Sequence, residues 1–287
     1  MIWIIGSKGM LGTELGGLLV QAGIPFVASD LDCDITDMAA LRGFSTGKGI
    51  RWIINCSAYT AVDKAEDNEA RARLINATGA GNIATVAGEI GAKMIHISTD
   101  YVFDGTASRP YVETDPVCPA GAYGRTKAEG EALVRQHCLQ SFILRTAWLY
   151  GRHGNNFVFT MLRLMKEKPE LGIVADQRGT PTWTVTLCQV ILELVRRDAD
   201  GYGVWQVTDR GETTWHEFAG EIQRLGVAKG LLPAAIPLRP LSTGQYPTKA
   251  RRPAYSVLSK VKIEQWLGRP LPPWQESLAA FIGQLNA

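Results

Sequence analysis

The first twelve residues constrain the fold more strongly than any other part of the sequence. The apolar run Ile2–Ile5 leads directly into Gly6, and Gly9 and Gly12 follow at regular spacing. A strand, a glycine turn and a helix in this order are typical of a dinucleotide-binding unit. There the first glycine makes the tight turn, the second lets the backbone approach a pyrophosphate, and the third allows close packing of helix on strand. A purely structural turn is the alternative for this motif taken alone.

Further apolar segments predict the rest of a sheet. Residues 25–29, 52–56, 93–98 and 142–148 are apolar runs without period-two alternation, which is typical of strands that are buried on both faces of a parallel sheet. Helical patterns separate these runs. The βαβα alternation predicts an α/β fold with a doubly wound parallel sheet of the Rossmann type.

The pattern changes after residue 151. We predict helices over 156–168, 185–197 and 275–285, strands over 172–175 and 203–208, and an irregular connection over 233–253. We therefore assign 1–151 to a dinucleotide-binding Rossmann domain and 152–287 mainly to a smaller, interleaved C-terminal substrate-binding lobe. The segments around 181–197 and 203–208 are expected to return to the Rossmann domain.

Charge, hydropathy and cysteine spacing exclude several classes of protein. The 30 basic and 28 acidic residues form no extended basic field, so nucleic acid is not expected as a partner. No stretch of about 18 apolar residues and no basic leader occurs, so we expect no membrane association. The five scattered cysteines contain no C-x-x-C pair, which predicts a reducing, cytoplasmic compartment and no zinc site.

The end of the second predicted strand indicates how a dinucleotide is held. Asp30 lies where a carboxylate accepts hydrogen bonds from the adenosine ribose hydroxyls and repels a 2′-phosphate. Lys8, inside the glycine turn, could offset that repulsion or be a solvated loop lysine. NADH is slightly favoured, and NADPH stays open. Asp34 and Ile35 are placed to border the adenine, and residues 57–59 to border the nicotinamide.

A second set of residues predicts the chemistry. Thr99 ends a buried strand, and Tyr123 and Lys127 form a Y-x-x-x-K pair further along the chain. One helical turn apart, the tyrosine and the lysine can face the same ligand. A phenol needs a neighbouring cation to act as a proton donor at neutral pH, and the lysine can supply it by lowering the phenol pKa. A surface helix that carries the pair by chance is the alternative.

The combination of these motifs resembles the short-chain dehydrogenase/reductase family. Within it, S-T-D-Y-V-F-D-G at 98–105 and D-Q-R-G-T-P-T at 176–182 are similar to the dTDP-4-dehydrorhamnose reductase family, a branch of the extended reductases. The likeness runs along nearly the whole chain. It implies reduction of the C4 ketone of dTDP-4-dehydro-L-rhamnose to dTDP-L-rhamnose with NADPH or NADH, with Tyr123 as the proton donor.

The resemblance also implies which residues border each ligand. Thr99, Tyr123 and Lys127 form the implied catalytic set, in which the lysine also holds the nicotinamide ribose. The cofactor is expected against Gly6, Gly9, Met10, Leu11, Gly12, Asp30, Asp34, Ile35, Ala58, Tyr59, Thr60, Tyr123 and Lys127. The sugar is expected against Thr60, Val62, Thr99, Asp100, Tyr101 and Trp148. Trp148 is expected to end its strand and to pack on the deoxyhexose ring, with a core tryptophan as the alternative.

The sequence leaves alternatives open for the assembly of the chain, for metal binding and for the exact activity. Some members of the family hold a magnesium ion with glutamates at a dimer interface, and Glu14 matches one such position, but residues 182–186 contain no acid. We therefore assign no metal and leave a homodimer open. The alternative activities are those of a related nucleotide-sugar 4-ketoreductase or epimerase. A non-catalytic, reductase-like regulatory subunit is the third hypothesis, disfavoured because Tyr123 and Lys127 are both present.

Overall fold

The structure, a computed structural model, describes residues 1–286. Its strands are β1 (Ile2–Ile5), β2 (Phe26–Ser29), β3 (Trp52–Asn55), β4 (Lys93–Thr99), β5 (Ser141–Thr146), β6 (Leu149–Tyr150), β7 (Leu171–Val174), β8 (Arg178–Gly179), β9 (Thr182–Trp183), β10 (Gly203–Gln206), β11 (Thr213–Thr214) and β12 (Leu238–Leu241). Its α-helices are α1 (Met10–Gln21), α2 (Met38–Ser45), α3 (Val62–Asp67), α4 (Glu69–Arg73), α5 (Ala80–Glu89), α6 (Ala122–His137), α7 (Phe157–Glu167), α8 (Thr184–Arg196), α9 (Trp215–Ala228), α10 (Val261–Leu267) and α11 (Trp274–Gly283). A π-helical turn at Leu74–Gly79 joins α4 to α5.

The main sheet is parallel and doubly wound. Its six strands lie in the order β10-β5-β4-β3-β1-β2, and all neighbours run parallel. The chain moves from β1 to β2 on one side and then to β3 on the other, so the strand order reverses at β1. In such sheets ligands bind beyond the carboxyl ends of the strands at this switch point. The predicted Rossmann-type fold is confirmed.

Alternate residues of each strand build two cores, one on each face of the sheet. Ile4 packs in a buried cluster with Leu15 of α1 and Leu187 of α8. Trp3, its neighbour on β1, points to the opposite face and packs with Ile83 of α5. Because both faces are covered, the strands consist of continuous apolar runs. The two cores fix the sheet edge at which β1, β3, β4 and β5 end.

A third core lies beyond the sheet. It packs α7, α9 and α11 around aromatic side chains, among them Tyr150, Phe218 and Phe281. Strands β7 and β12 form a separate parallel pair. This lobe stands beside the carboxyl edge of the main sheet, because β6 and α7 follow directly after β5.

The structure corrects three sequence predictions. The strand predicted over 142–148 ends at Thr146, and Trp148 follows it with a left-handed φ of +46°. The region 233–253 was predicted to be irregular, but it contains β12, whose hydrogen-bonding partner β7 lies far away in sequence. Helix α10 was not predicted, because it is too short to show a clear period. Within residues 1–286, no helix is both long enough and apolar enough to cross a membrane.

Candidate active site

The glycine turn between β1 and α1 exposes backbone to a ligand. Gly6 has a left-handed φ of +77°, and a Cβ there would lie 2.7 Å from the backbone nitrogen of Ser57. A Cβ at Gly12 would lie 2.2 Å from the Gly6 carbonyl oxygen, so only glycine fits where the helix meets the strand. Gly9 begins α1 without a side-chain cap, which leaves N–H groups of the first turn to bind an anion. The turn therefore fits the pyrophosphate of a dinucleotide.

A cavity of about 450 Å³, the adenosine cavity, opens beside this turn. The Asp30 carboxylate is held at its edge, accepting hydrogen bonds from the backbone N–H groups of Lys8 at 2.9 Å and Leu31 at 3.0 Å. Asp34 accepts hydrogen bonds from the backbone N–H and the hydroxyl of Thr36, and these bonds lower the pKa of its carboxyl. The predicted cofactor residues that line this cavity are Gly6, Gly9, Asp30, Asp34, Ile35 and Ala58.

A second cavity of about 460 Å³, the reaction chamber, lies at the carboxyl ends of β3, β4 and β5. It brings together the predicted cofactor residues Gly9, Met10, Leu11, Ala58, Thr60, Tyr123 and Lys127. All six predicted sugar residues also line it: Thr60, Val62, Thr99, Asp100, Tyr101 and Trp148.

Two predicted cofactor residues line neither cavity. Gly12 is packed against the glycine turn, as described above. The backbone N–H of Tyr59 donates to Asn76 Oδ1 at 2.8 Å, and its ring packs against the same small cluster of buried alanines as the Tyr123 ring.

One end of the chamber is formed by Thr99 and Tyr123. The Thr99 hydroxyl donates to Asp100 Oδ1 at 2.9 Å, and its oxygen accepts from the backbone N–H of Tyr101 at 3.2 Å. Burial raises the pKa of Tyr123 far above its ordinary value, and a hydrogen bond with Thr99 opposes that shift. Because its pKa is raised, the Tyr123 phenol is protonated throughout the physiological pH range. Burial also raises the pKa of the neighbouring Asp100 carboxyl to about 6.

Lys127 is enclosed one helical turn after Tyr123. Its side chain is 1% exposed, and its ammonium donates to the Ile97 carbonyl at 2.6 Å and lies 3.5 Å from Nε2 of His96. Burial lowers the pKa of Lys127 to about 8. The predicted lowering of the Tyr123 pKa by this lysine is wrong for this geometry, in which burial of the phenol dominates and the ammonium faces the Ile97 carbonyl.

His96 is fully buried in the middle of β4 and is hydrogen-bonded within the fold. Its Nδ1 lies 3.1 Å from the side-chain nitrogen of Asn55, and burial together with the Lys127 charge lowers its pKa well below the ordinary range. A neutral imidazole therefore stands beside the lysine, and only one of the two adjacent groups is charged.

A buried ion pair under the chamber was not predicted. Glu131 and Arg145 are both 1% exposed and form two hydrogen bonds, at 2.9 and 2.7 Å. The Ser98 hydroxyl donates to the same carboxylate. A charged residue within the apolar strand at 142–148 is the signal that could have indicated a buried partner.

A third cavity of about 410 Å³, the second-lobe chamber, is lined by apolar side chains of α7 and β7 together with Trp215, Tyr246 and Arg252. The Arg252 guanidinium donates to the Tyr101 hydroxyl at 3.0 Å and to the Asp63 carboxylate at 2.8 Å. Because Tyr101 lines the reaction chamber, Arg252 lies between the two chambers. Sequence reasoning missed Arg252, since it follows proline-bearing residues without a recognisable period.

Glu14, the residue that matches a magnesium-binding position of some family members, is hydrogen-bonded within the chain. Glu14 accepts a hydrogen bond from the Thr184 hydroxyl at 3.3 Å. Across residues 1–286, no group of three or more acidic, histidine or cysteine side chains is arranged to hold a metal ion.

The fold and the site together define a class. A doubly wound parallel sheet with a glycine turn at its first strand, and a Thr, Tyr and Lys set at its carboxyl edge, is the arrangement of the extended short-chain dehydrogenases/reductases. The structure gathers the set in one cavity next to the dinucleotide turn.

Comparison with known proteins identifies the family within this class. The family model described as RmlD substrate binding domain matches residues 1–287. A dTDP-4-dehydrorhamnose reductase of Burkholderia thailandensis is 37% identical over 298 residues, which cover 99% of this chain and 98% of that protein. A dTDP-4-keto-6-deoxy-D-glucose reductase of Streptomyces niveus is 40% identical, with 99% and 98% covered. The crystal structure of dTDP-4-dehydrorhamnose reductase from Bacillus anthracis in complex with NADP is 36% identical, covers 99% of both chains and has a TM-score of 0.92. The chain therefore belongs to the RmlD substrate binding domain family.

Proposed function

We propose that this chain reduces the C4 ketone of dTDP-4-dehydro-L-rhamnose to dTDP-L-rhamnose with NADPH or NADH. The observation that carries the proposal is the joint presence of Thr99, Tyr123 and Lys127 in one chamber beside the glycine turn. Its family membership and the names of its relatives support the choice of substrate. The NADP that is bound in the Bacillus anthracis structure supports the cofactor.

The bound nicotinamide cofactor supplies the hydride, and the chain supplies the proton. Tyr123 holds that proton, because burial keeps its phenol neutral, and it donates to the ketone oxygen as negative charge develops there. The Thr99 hydroxyl has one hydrogen, which it gives to Asp100, so it must turn away from that carboxylate to bond the ketone oxygen.

Lys127 contributes a buried positive charge to the same chamber, one helical turn after Tyr123. Its ammonium lies in a region from which water is excluded, where a charge acts more strongly than in solvent. With a pKa of about 8, Lys127 is mostly protonated at neutral pH and loses its charge in mildly alkaline solution. We therefore expect kcat/KM to fall as the pH rises through about 8.

We assign the two ends of the nucleotide sugar to the two chambers. The sugar would occupy the reaction chamber, and the base would occupy the second-lobe chamber, whose lining is mostly apolar and aromatic. The diphosphate between them would then pass Arg252, whose guanidinium carries the charge that a phosphate requires. On this basis we assign Arg252 to the diphosphate.

The test is the decay of NADPH and NADH absorbance with purified protein and dTDP-4-dehydro-L-rhamnose, followed by identification of the sugar product. We expect stoichiometric oxidation and dTDP-L-rhamnose. Tyr123→Phe should lower kcat by about a hundredfold or more. Tyr202→Phe, at a ring that packs against Phe142 in the sheet core and lines none of the three cavities, is the matched control and should leave kcat unchanged. Near wild-type turnover by Tyr123→Phe would show that the assigned proton donor is wrong.

A reductase for another nucleotide-linked 4-ketosugar is the second candidate. The observation in its favour is the 40% identity to the Streptomyces niveus dTDP-4-keto-6-deoxy-D-glucose reductase. Parallel assays with both ketosugars separate the two, since the preferred substrate has the higher kcat/KM. An epimerase would regenerate its cofactor in each cycle, so sustained oxidation excludes it. Turnover by the isolated chain likewise excludes a non-catalytic regulatory subunit.

Three expectations stay proposals. The dinucleotide lobe comprises 1–151 with the segments around 181–197 and 203–208, and the rest of 152–287 mainly forms the substrate lobe. Helix α10 is an exception, because Ile263 and Leu267 lie in the core of the main sheet. Support comes from α8, which packs on α1, and from β10, which is the edge strand of the main sheet. The cytoplasmic location and the homodimer rest on composition and family resemblance. Fractionation of cells and size-exclusion chromatography of the purified chain test them.

A further inference from the structure

Two tryptophans from distant parts of the chain stack face to face between the reaction chamber and the second-lobe chamber. The ring centroids of Trp148 and Trp215 lie 3.5 Å apart, and the ring planes differ by 11°. Trp148 lines the reaction chamber, and Trp215 lines the second-lobe chamber. The stacked pair is therefore a shared wall between the two cavities.

Trp148 holds its ring in place at the cost of an unfavourable backbone conformation. Its φ of +46° is left-handed, which bulky residues rarely adopt because the Cβ crowds the following carbonyl. Its carbonyl accepts a hydrogen bond from the backbone N–H of Thr182 at 3.2 Å. Its ring lies so close to Gly179 that a Cβ there would come within 2.5 Å of it. Such a conformation persists only where the surrounding contacts determine it.

Trp215 is fixed independently of Trp148. It is the first residue of α9, and its N-cap Thr214 exchanges hydrogen bonds with Glu217 in a capping box. Strand β11, directly before it, pairs with β8 so that Thr213 lies opposite Gly179. The same pair of short strands thus places both Gly179 and Trp215 against the Trp148 ring.

We propose that Trp215 is a positioning residue that, together with Gly179 on the opposite face, clamps the Trp148 indole as a fixed wall of the reaction chamber, beside which the sugar ring of the substrate lies. The inference rests on the proposed function, because it assigns this wall to a sugar. Trp215 acts on the sugar end through Trp148, whereas its own exposed surface faces the second-lobe chamber assigned to the base.

The stack itself can be tested without turnover. In protein labelled with fluorotryptophan, the fluorine resonance of Trp148 is assigned by its loss in Trp148→Phe. We expect Trp215→Leu to shift this resonance, because the ring current of the neighbouring indole disappears. Trp266→Phe, which changes an indole that packs edge-on against Trp205, is the control and should leave the resonance in place. An unchanged Trp148 resonance in Trp215→Leu would overturn the proposal.

The role in catalysis is tested by a double-mutant cycle. Because a small misplacement of a positioning group is costly, we expect Trp215→Leu to lower kcat by roughly tenfold to a hundredfold. The variant Trp215→Phe, which keeps an aromatic ring, should recover most of that loss. If Trp215 acts through Trp148, the double Leu variant loses no more than Trp148→Leu alone.

The outcomes separate this inference from the proposed function. Losses that multiply in the double variant would show that Trp215 acts independently of Trp148, and the inference would be wrong while the reduction stands. Absence of wild-type turnover would contradict the proposed function, whereas the fluorine resonances would still decide whether Trp215 positions the Trp148 ring.

Discussion

The buried ammonium of Lys127 should make the folded chain less stable than a variant without it. Burial lowers the pKa of this group from 10.5 to about 8. At about 1.4 kcal/mol per unit, the charged form is disfavoured in the folded state by about 3–3.5 kcal/mol. Lys127→Met removes the charge but forfeits the hydrogen bond to the Ile97 carbonyl, which is worth about 1–2 kcal/mol. We expect a net gain of about 1–2 kcal/mol in the free energy of unfolding at pH 7.

The stability difference between wild type and Lys127→Met should depend on pH. Below pH 8 both the folded and the unfolded chain carry the proton, so the full cost of burial acts on the wild type. Between about pH 8 and 10.5 the folded chain loses its proton first, and the wild type gains stability relative to the variant. Above that window the lysine is neutral in both states, and the advantage of the variant is gone.

The assay is urea unfolding of wild type and Lys127→Met at pH 7, 8, 9 and 10, in parallel with turnover at pH 7. We expect the variant to be inactive, more stable at pH 7 and progressively less favoured toward pH 10. Lys166→Met, which removes an exposed lysine of α7, is the matched control and should show no such trend. A variant that is less stable at pH 7, or whose advantage does not change with pH, would refute the reasoning.

Three further predictions concern stability. Arg145→Met leaves the carboxylate of Glu131 buried without its partner, so the free energy of unfolding, measured in urea, should fall by about 3–5 kcal/mol. Gly124→Ala places a Cβ 2.1 Å from the backbone carbonyl oxygen of Tyr101 and should lower the free energy of unfolding by about 1–3 kcal/mol. Gly17→Ala, in the same assay, has open space around its Cβ and should raise the free energy of unfolding by about 0.5–1 kcal/mol. Burial raises the pKa of Asp209 to about 6, so Asp209→Asn should raise the urea midpoint at pH 8 and lose this advantage toward pH 4, where the native carboxyl is protonated in the fold.

The sheet could be predicted from sequence because each of its strands carries its own signal. The runs that became β1, β3 and β4 are continuous and apolar, as burial on both faces requires, and glycine or a helical pattern delimits them. The reaction chamber followed from the same reasoning. The carboxyl ends of parallel strands meet at one edge, so Thr99 had to lie near the glycine turn.

The remaining features depend on contacts between distant parts of the chain. Strand β12 exists because β7 offers it hydrogen bonds, and no local pattern around Pro240 encodes that partner. Arg252 meets Asp63 across most of the sequence. The stack of Trp148 on Trp215 depends on a left-handed backbone, which composition and periodicity do not predict for a tryptophan.

Three different costs to stability coincide in the reaction chamber. Lys127 is charged and buried, Asp100 has a carboxylate oxygen without a hydrogen-bonding partner, and Trp148 is left-handed. One such cost alone is a weak indicator of function, since Asp209 is a buried carboxyl with a raised pKa that lines none of the three cavities. Three of them in one cavity beside the glycine turn are better explained by selection for chemistry than for folding, because each could be relieved by a simple substitution. A chain that had kept only a binding role would have no reason to retain a buried lysine beside a buried tyrosine, so the geometry argues against the non-catalytic subunit and for a reductase.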